Sequence, residues 1–401
     1  MNASKKNNPI NVAVAGLGWF GSGLVQELAH WPEISLKVIF EQDTQKAYEM
    51  LAAAGFAKED VTVSGDLQDI AGLNDIQVVF DATGNVLAGA KAALSTIEAG
   101  MHFITVSSEL DSLIGPVLKK KADEKGVIYS NSDGDQPGVL GRLIPEVMSF
   151  GFSIELAGNC KGFLDAHKTP EDVMPWVKPG QNSKMIAAFT DGSKQSMELA
   201  VVANAFGLKP DVRGMHGIRT TKATLVEDFR KTTQSSGIVD YSLGIDGVDQ
   251  GAGVFVVGRK EGARVRVDMN YLKKGDGPDY LFFRDHHLCY IEAPRSIIDA
   301  AVYNRPTIAP AGHFADVITV AKRDLKSGEK LDGIGGYTIY GLIEKAETVK
   351  EENLLPFGLA EYAVLTCDVK RDTPITYGMV EFPEDNLVLR LRKEQDDQVK
   401  S

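Results

Sequence analysis

Lys161 and Lys194 are the residues of this chain best placed by type and spacing to do chemistry on a polar substrate. Lys161 closes the run Phe152-Ser153-Ile154-Glu155-Leu156-Ala157-Gly158-Asn159-Cys160 and is followed by Gly162; Asp165, His167 and Lys168 crowd just behind it. Lys194 stands in Asp191-Gly192-Ser193-Lys194, with Asp191 at what reads as a helix start and Glu198 one turn further on. An oxygen that gains charge during a reaction needs a cation beside it and a proton donor. Lysines with nearby carboxylates supply both. The expected assignment is Lys161 and Lys194 as oxyanion stabiliser or acid, Asp191 as the orienting carboxylate, and His167 as a further candidate. By spacing alone the first reading is a surface Lys194–Glu198 ion pair with Asp191 as a cap, and it is the position after a nucleotide domain that moves it. Asp165, Asp191 and Glu198 could serve a divalent cation that holds adjacent substrate oxygens, but no diagnostic spacing marks them as ligands. His286-His287 reads as a structural or partly exposed pair, because neighbours on a strand point to opposite faces.

The element that could bring a reactant to such residues lies near the amino end. The apolar run Ile10-Asn11-Val12-Ala13-Val14-Ala15 meets Gly16-Leu17-Gly18-Trp19-Phe20-Gly21 and then a helical pattern of Leu24, Val25, Leu28 and Ala29. In such a G-x-G-x-x-G turn the first glycine permits the tight bend, the second lets the backbone approach a pyrophosphate, and the third allows helix to pack on strand. The helix N-terminus then turns unpaired N–H groups toward the phosphates. A second apolar run, Leu36 to Phe40, ends at Glu41, about 20 residues past the last of these glycines, where a ribose ligand is expected. A carboxylate there favours NAD(H), because it repels a 2′-phosphate; NADP(H) requires it to turn away. The expected cofactor contacts are Gly16, Gly18, Trp19, Phe20, Gly21 and Glu41, joined by residues past later strand ends: Thr83, Gly84, Ser107, Ser108 and Glu109. Each of these hydroxyls could instead cap a helix.

Strand and helix patterns alternate from Ile10 to Ser130, which predicts an α/β fold with a doubly wound parallel sheet of Rossmann type over residues 1–135. The lysine-rich segment Pro116–Lys125 reads as its last helix. A polar crossing, Asn131-Ser132-Asp133-Gly134-Asp135-Gln136-Pro137-Gly138, is the expected floor of the site where nicotinamide meets substrate. A central α+β catalytic or substrate domain is expected over 136–310 and a small β-rich domain over 311–401. The charged end, Arg390–Ser401, is expected to fray.

Composition narrows the function classes. With 401 residues and a formal net charge of -12, the chain has room for two or three domains but no broad basic face for nucleic acid. The three cysteines, Cys160, Cys289 and Cys367, are scattered without CxxC spacing, so a structural zinc site or disulfide framework is not expected. No apolar run reaches membrane-spanning length, and the polar amino end lacks a signal-peptide pattern. A cytoplasmic homo-oligomer acting on a small molecule, with neither nucleic-acid nor membrane partners, is the expectation.

The glycine turn, Phe80-Asp81-Ala82-Thr83-Gly84-Asn85, the Tyr129-Ser130…Gly134-Asp135-Gln136-Pro137 crossing and Asp191-Gly192-Ser193-Lys194 together resemble the homoserine-dehydrogenase-like oxidoreductases, closest to their DXR-like (DRL) branch. Ala315–Leu331, Pro356–Ala360 and Val369–Gly378 resemble a SAF domain. The resemblance implies an NAD(P)-dependent oxidoreductase or reductoisomerase acting on a small polar carbonyl or hydroxyl compound, a sugar phosphate or polyol. The best-known activity of the branch converts 1-deoxy-D-xylulose 5-phosphate to 2-C-methyl-D-erythritol 4-phosphate, a step of isoprenoid biosynthesis. Homoserine dehydrogenases carry Ala-Asn-Lys where this chain has Ser107-Ser108-Glu109, a departure that speaks against homoserine. An amino-acid oxidoreductase and a non-catalytic NAD(P)-binding regulator are the alternatives.

Overall fold

The computed structural model describes residues 8–178, 181–244 and 253–398. They divide into two compact units: those within 1–110, 117–135 and 288–307 form the first, and those within 111–116, 136–287 and 308–401 the second.

The first unit is built on a parallel sheet. Its elements run β1 (Ile10–Ala15), α1 (Trp19–Leu28), β2 (Ile34–Phe40), α2 (Thr44–Ala53), β3 (Thr62–Ser64), β4 (Val78–Asp81), α3 (Val86–Glu98), β5 (His102–Thr105), α4 (Ser108–Lys125) and β6 (Tyr129–Asn131). The six strands lie in the order β3-β2-β1-β4-β5-β6 and every neighbouring pair is parallel. This is the doubly wound order that reverses between β1 and β4, the point where such sheets take ligands. Val12, Val14, Ile39, Val78 and Phe80 are fully or almost fully buried, as strands covered on both faces require. The chain returns to this unit after residue 287: Ala293, Ile297 and Ala300, at and within the helix Pro294–Tyr303, join the same core as Val12 and Phe80.

The second unit carries α5 (Gln136–Ser149), β7 (Ser153–Lys161), α6 (Ser183–Thr190), α7 (Ser193–Phe206), β8 (Lys209–Pro210), β9 (Ile218–Thr220), α8 (Leu225–Thr232), β10 (Ile238–Gly244), β11 (Val254–Arg259) and β12 (Asp279–Arg284). Its mixed sheet has the order β12-β11-β7-β10-β8, with β9 also paired to β10. Leu156 and Cys160 of β7 pack with Leu225 and Phe229 of α8. Asn159 and Lys161 alternate with them and meet α5 and α7 instead. Residues 193–204 of α7 are all buried, a helix enclosed on every side despite its Lys194, Gln195, Glu198 and Asn204.

Beyond it lie β13 (Ala315–Ala321) and β14 (Ile339–Lys345), an antiparallel pair. Side chains of α7 tie to both: Ser193 Oγ accepts the Gly341 N–H at 2.8 Å, and Asn204 Oδ1 accepts the Phe314 and Ala315 N–H groups. The carboxyl end differs from expectation. Leu387–Gln398 is a helix, and Arg392 is buried in it, paired with Asp316 at 2.5 Å and Asp396 at 2.9 Å. A charge-rich stretch that reads as solvated is anchored because one of its charges, Arg392, has a partner far back in sequence. Likewise the helix read from Pro116 begins at Ser108. Among the described residues no helix is long and apolar enough to cross a membrane.

Candidate cofactor turn and polar cluster

The glycine turn follows β1 at the sheet's reversal point. Gly16 has φ +90°, and a Cβ there would lie 2.7 Å from the Ala82 carbonyl oxygen. A Cβ on Gly21 would lie 2.0 Å from the Gly16 carbonyl oxygen, so this glycine lets α1 fold tightly onto the turn. Gly18 is different: a Cβ there would meet nothing within 4 Å. The space in front of Gly18 is open, and α1 begins beside it with no acidic residue in its first turn. The first N–H groups of a helix have no helical acceptors, and its dipole favours an anion there. Trp19 is half-exposed and sets its ring edge-on to Tyr290, while Phe20 stacks on Phe80. Glu41 follows β2, and its Oε2 accepts the Leu17 N–H at 2.9 Å, which ties the acidic residue to the turn itself.

The residues past β4 and β5 are organised by a carboxylate that sequence alone does not single out. Asp81 is fully buried; its Oδ1 accepts the N–H and hydroxyl of Thr83 and its Oδ2 the hydroxyl of Thr105. Burial pushes its carboxyl above the usual range against the pull of those donors. Thr83 is thereby fixed, and Gly84 beside it is exposed. Ser107 is the N-cap of α4: its Oγ accepts the Leu110 N–H at 3.1 Å and donates to Glu109 Oε2 at 3.1 Å. Ser107, Ser108 and Glu109 are all buried.

In the second unit the two expected lysines occupy buried polar surroundings. Lys161, at the end of β7, donates to Gln136 Oε1 at 3.0 Å and to Glu198 Oε2 at 3.2 Å. Asn159 Nδ2 donates to the same two oxygens, at 2.6 and 3.2 Å. Gln195 donates in turn to Asn159 Oδ1. Lys194 and Glu198 are both buried, so the surface-pair alternative does not hold. Such polarity inside a protein rests on matched donors and acceptors, and here Gln195 Oε1 is left buried without a partner.

The other two catalytic candidates have their own partners. Asp191 gives one oxygen to the Ser193 N–H at 2.9 Å and the other to Lys322 at 2.7 Å. Lys322 also donates to the carbonyls of Lys168 and Gly336, so its ammonium is fully engaged. Burial pushes the Asp191 carboxyl up, opposed by Lys322. His167 is paired with Asp372 at 2.7 Å at a half-exposed position, and its hydrogen bond lowers the Asp372 carboxyl. Asp165, Asp191 and Glu198 do not converge: among the described residues no three His, Cys, Asp or Glu side chains are grouped to hold a metal ion. His286 lies past β12 rather than on it, bonded to Asp285. Gln136, Asn159 and Gln195 are the members of the cluster that sequence reasoning did not assign. The signal for Asn159 was its even spacing from Lys161 on a strand; nothing local joins either to Gln195.

Residues 134–293 match the family model described as the catalytic domain of the oxidoreductase DRL. That stretch contains Gln136, Asn159, Lys161, Lys194 and Glu198. No curated protein matches the chain in sequence. Among solved structures, a homoserine dehydrogenase from Thiobacillus denitrificans is similar at 14% identity and TM-score 0.47, over 92% of this chain and 98% of that one. A probable dehydrogenase from Thermotoga maritima follows at 11% identity and TM-score 0.45, over 75% and 90%. A DOX-P reductoisomerase solved with NADPH, fosmidomycin and magnesium is similar at 16% identity and TM-score 0.37, over 50% and 59%.

Proposed function

We propose that this chain is an NAD(P)-dependent oxidoreductase acting on a small polar carbonyl or hydroxyl compound. One observation carries the cofactor half: a parallel sheet of order β3-β2-β1-β4-β5-β6 places an open glycine turn at its reversal point and Glu41 after β2. The oxidoreductase match over residues 134–293 supports the catalytic half. The residues fit a dinucleotide. The turn from Gly18 to Gly21 would hold the pyrophosphate, Glu41 the adenosine ribose, and Thr83-Gly84 would lie along the cofactor at the neighbouring strand end. The nicotinamide, when bound, supplies or accepts the hydride. The protein's own part is to hold charge: the Lys161 and Lys194 ammoniums stabilise an oxygen that becomes negative, and Lys161 can hand it a proton.

Two finer assignments belong to the same proposal. Glu41 favours NAD(H) over NADP(H), since a second negative group beside its carboxylate is repelled. The two lysines suit a substrate rich in oxygen, a sugar phosphate or polyol as in the DXR-like branch, with residues 311–401 as a SAF-like module.

The test is calorimetric titration of NADH and NADPH into the full chain and into Gly18→Val. The wild type is expected to bind, NADH more tightly. A Cβ at residue 18 meets no protein atom within 4 Å, so the variant should melt as the wild type does while binding falls at least about a hundredfold, or ~2.8 kcal/mol. Equal binding by the variant, or none by the wild type, overturns the assignment. Nicotinamide absorbance with 1-deoxy-D-xylulose 5-phosphate, xylitol and L-homoserine then separates the substrate classes.

A further inference from the structure

We propose that Glu198, Gln136 and Asn159 are positioning residues for Lys161, and that together they single out Lys161 as the proton-presenting group of the cluster. The inference rests on the oxidoreductase reading for its chemistry but not for its geometry. A lysine ammonium has three N–H donors and no acceptor. Two of Lys161's are taken by Gln136 Oε1 at 3.0 Å and Glu198 Oε2 at 3.2 Å. Two fixed directions on a tetrahedral nitrogen fix the third. The acceptors are themselves held, because Asn159 Nδ2 donates to both of them and its Oδ1 accepts from Gln195. Asn159 stands two residues before Lys161 on β7, on the same face of the strand, so acceptors and ammonium are braced from one rigid element. Asn159 and Gln136 are nearly or fully buried, whereas Lys161 keeps 13% of its side chain accessible. The brace is inside and the braced side chain is at its edge.

The third N–H is therefore aimed rather than free to rotate. An oxygen that gains charge, or that must be protonated as a carbonyl becomes a hydroxyl, would accept it. The proton moves from Lys161 Nζ to that oxygen, leaving the amine to be reprotonated from solvent. Glu198 keeps its acceptor role throughout and touches no substrate. Asp191, by contrast, has its carboxylate committed to Lys322 and Ser193.

Trace acetylation of the whole chain with acetic anhydride, resolved by mass spectrometry, tests the brace without requiring turnover. Glu198→Gln should raise the labelling of Lys161 several-fold relative to exposed Lys231, as the amine is released from its carboxylate. Gln136→Ala, which removes the other acceptor, should do the same and serves if Glu198→Gln fails to fold. An unchanged ratio in the folded variants overturns the proposal. With whichever compound of the substrate panel turns over, Glu198→Gln should lower kcat on the order of tenfold or more with the cofactor KM unchanged. Added to Lys161→Met it should cost nothing further, because it acts through that lysine. Additive losses would assign Glu198 a merely structural role. If no panel compound turns over, the functional reading fails on its own and the labelling ratio still decides the geometry.

Discussion

The glycine turn of the first unit and the polar cluster of the second are built by opposite means. The turn works by leaving side chains out. At Gly18 nothing stands in front of the backbone, and three residues later a Cβ would sit 2.0 Å from a carbonyl oxygen. The cluster works by crowding side chains in, with Asn159 and Lys161 sharing the same two acceptors. Damage should therefore follow different rules. In the turn, a gained atom is harmful, and how harmful depends on which glycine gains it. In the second unit, a lost partner is harmful, because the group left behind is buried and charged.

The largest effect tests the first rule. Gly21→Ala puts its methyl carbon 2.0 Å from the Gly16 carbonyl oxygen and 3.3 Å from the Ala82 Cβ, with no flexible side chain to yield. The first unit should lose more than about 4 kcal/mol, beyond the usual range of single substitutions. Urea unfolding followed by the fluorescence of Trp19 and Trp31, with Trp176 of the second unit replaced by Phe, reads this. A midpoint near that of the wild type would mean that α1 can swing away from the turn, and the contrast between Gly21 and Gly18 would vanish.

The second rule is tested away from the candidate site, where no ligand complicates the measurement. Arg392→Met removes the guanidinium from Asp316, both side chains being almost wholly buried. A buried carboxylate that has lost its guanidinium should cost about 3–5 kcal/mol at neutral pH. The sign of the pH dependence follows from the carboxylate. Burial alone would raise the Asp316 carboxyl, but Arg392 and His313 outweigh it and bring it from 3.8 to about 2. The wild type thus holds this stability above the unfolded value and loses it as the pH falls through about 2. In the variant burial acts unopposed by the guanidinium, the carboxyl rises, and acid should favour the folded form. The gap between the two proteins should narrow between neutral pH and about pH 3. A gap independent of pH would assign the loss to packing alone.

These contrasts also explain what was legible in the chain. The turn is a local object: glycine spacing, an apolar run before it and Glu41 after the next strand all lie within one βαβ unit, and the structure keeps every one in place. The second unit is held by pairs distant in sequence. Spacing sets Asp191 beside Lys194, yet its oxygens go to Ser193 and to Lys322, 131 residues on. His167 finds Asp372 across 205 residues, and Arg392 finds Asp316 across 76, which turned an expected frayed end into a docked helix. The buried α7 defeats periodicity for a related reason. A helix enclosed on all sides has no polar face, so its Lys194 and Glu198 read as a surface pair until their neighbours are known. Asp81 escaped notice because a strand-end carboxylate next to an expected cofactor contact looks like part of the motif rather than its support.

The smallest effect asks whether the first unit also uses side chains, and for what. Ser107 can cap α4, touch the cofactor, or do both. Its Oγ already accepts the Leu110 N–H and donates to Glu109, both at 3.1 Å. A hydroxyl has one proton to give, and here it is given to a carboxylate; the cap takes an oxygen lone pair. Ser107→Ala should therefore destabilise the first unit by about 1 kcal/mol, the usual cost of a lost cap. NADH affinity should stay within about twofold, or ~0.4 kcal/mol. Ser107→Asn should restore stability, since asparagine caps as well as serine but has no hydroxyl. A tenfold loss of binding in the alanine variant with stability unchanged would reverse the assignment: the first unit would then bind through a side chain past β5 as well as through bare backbone, and the contrast between the two regions would be one of degree.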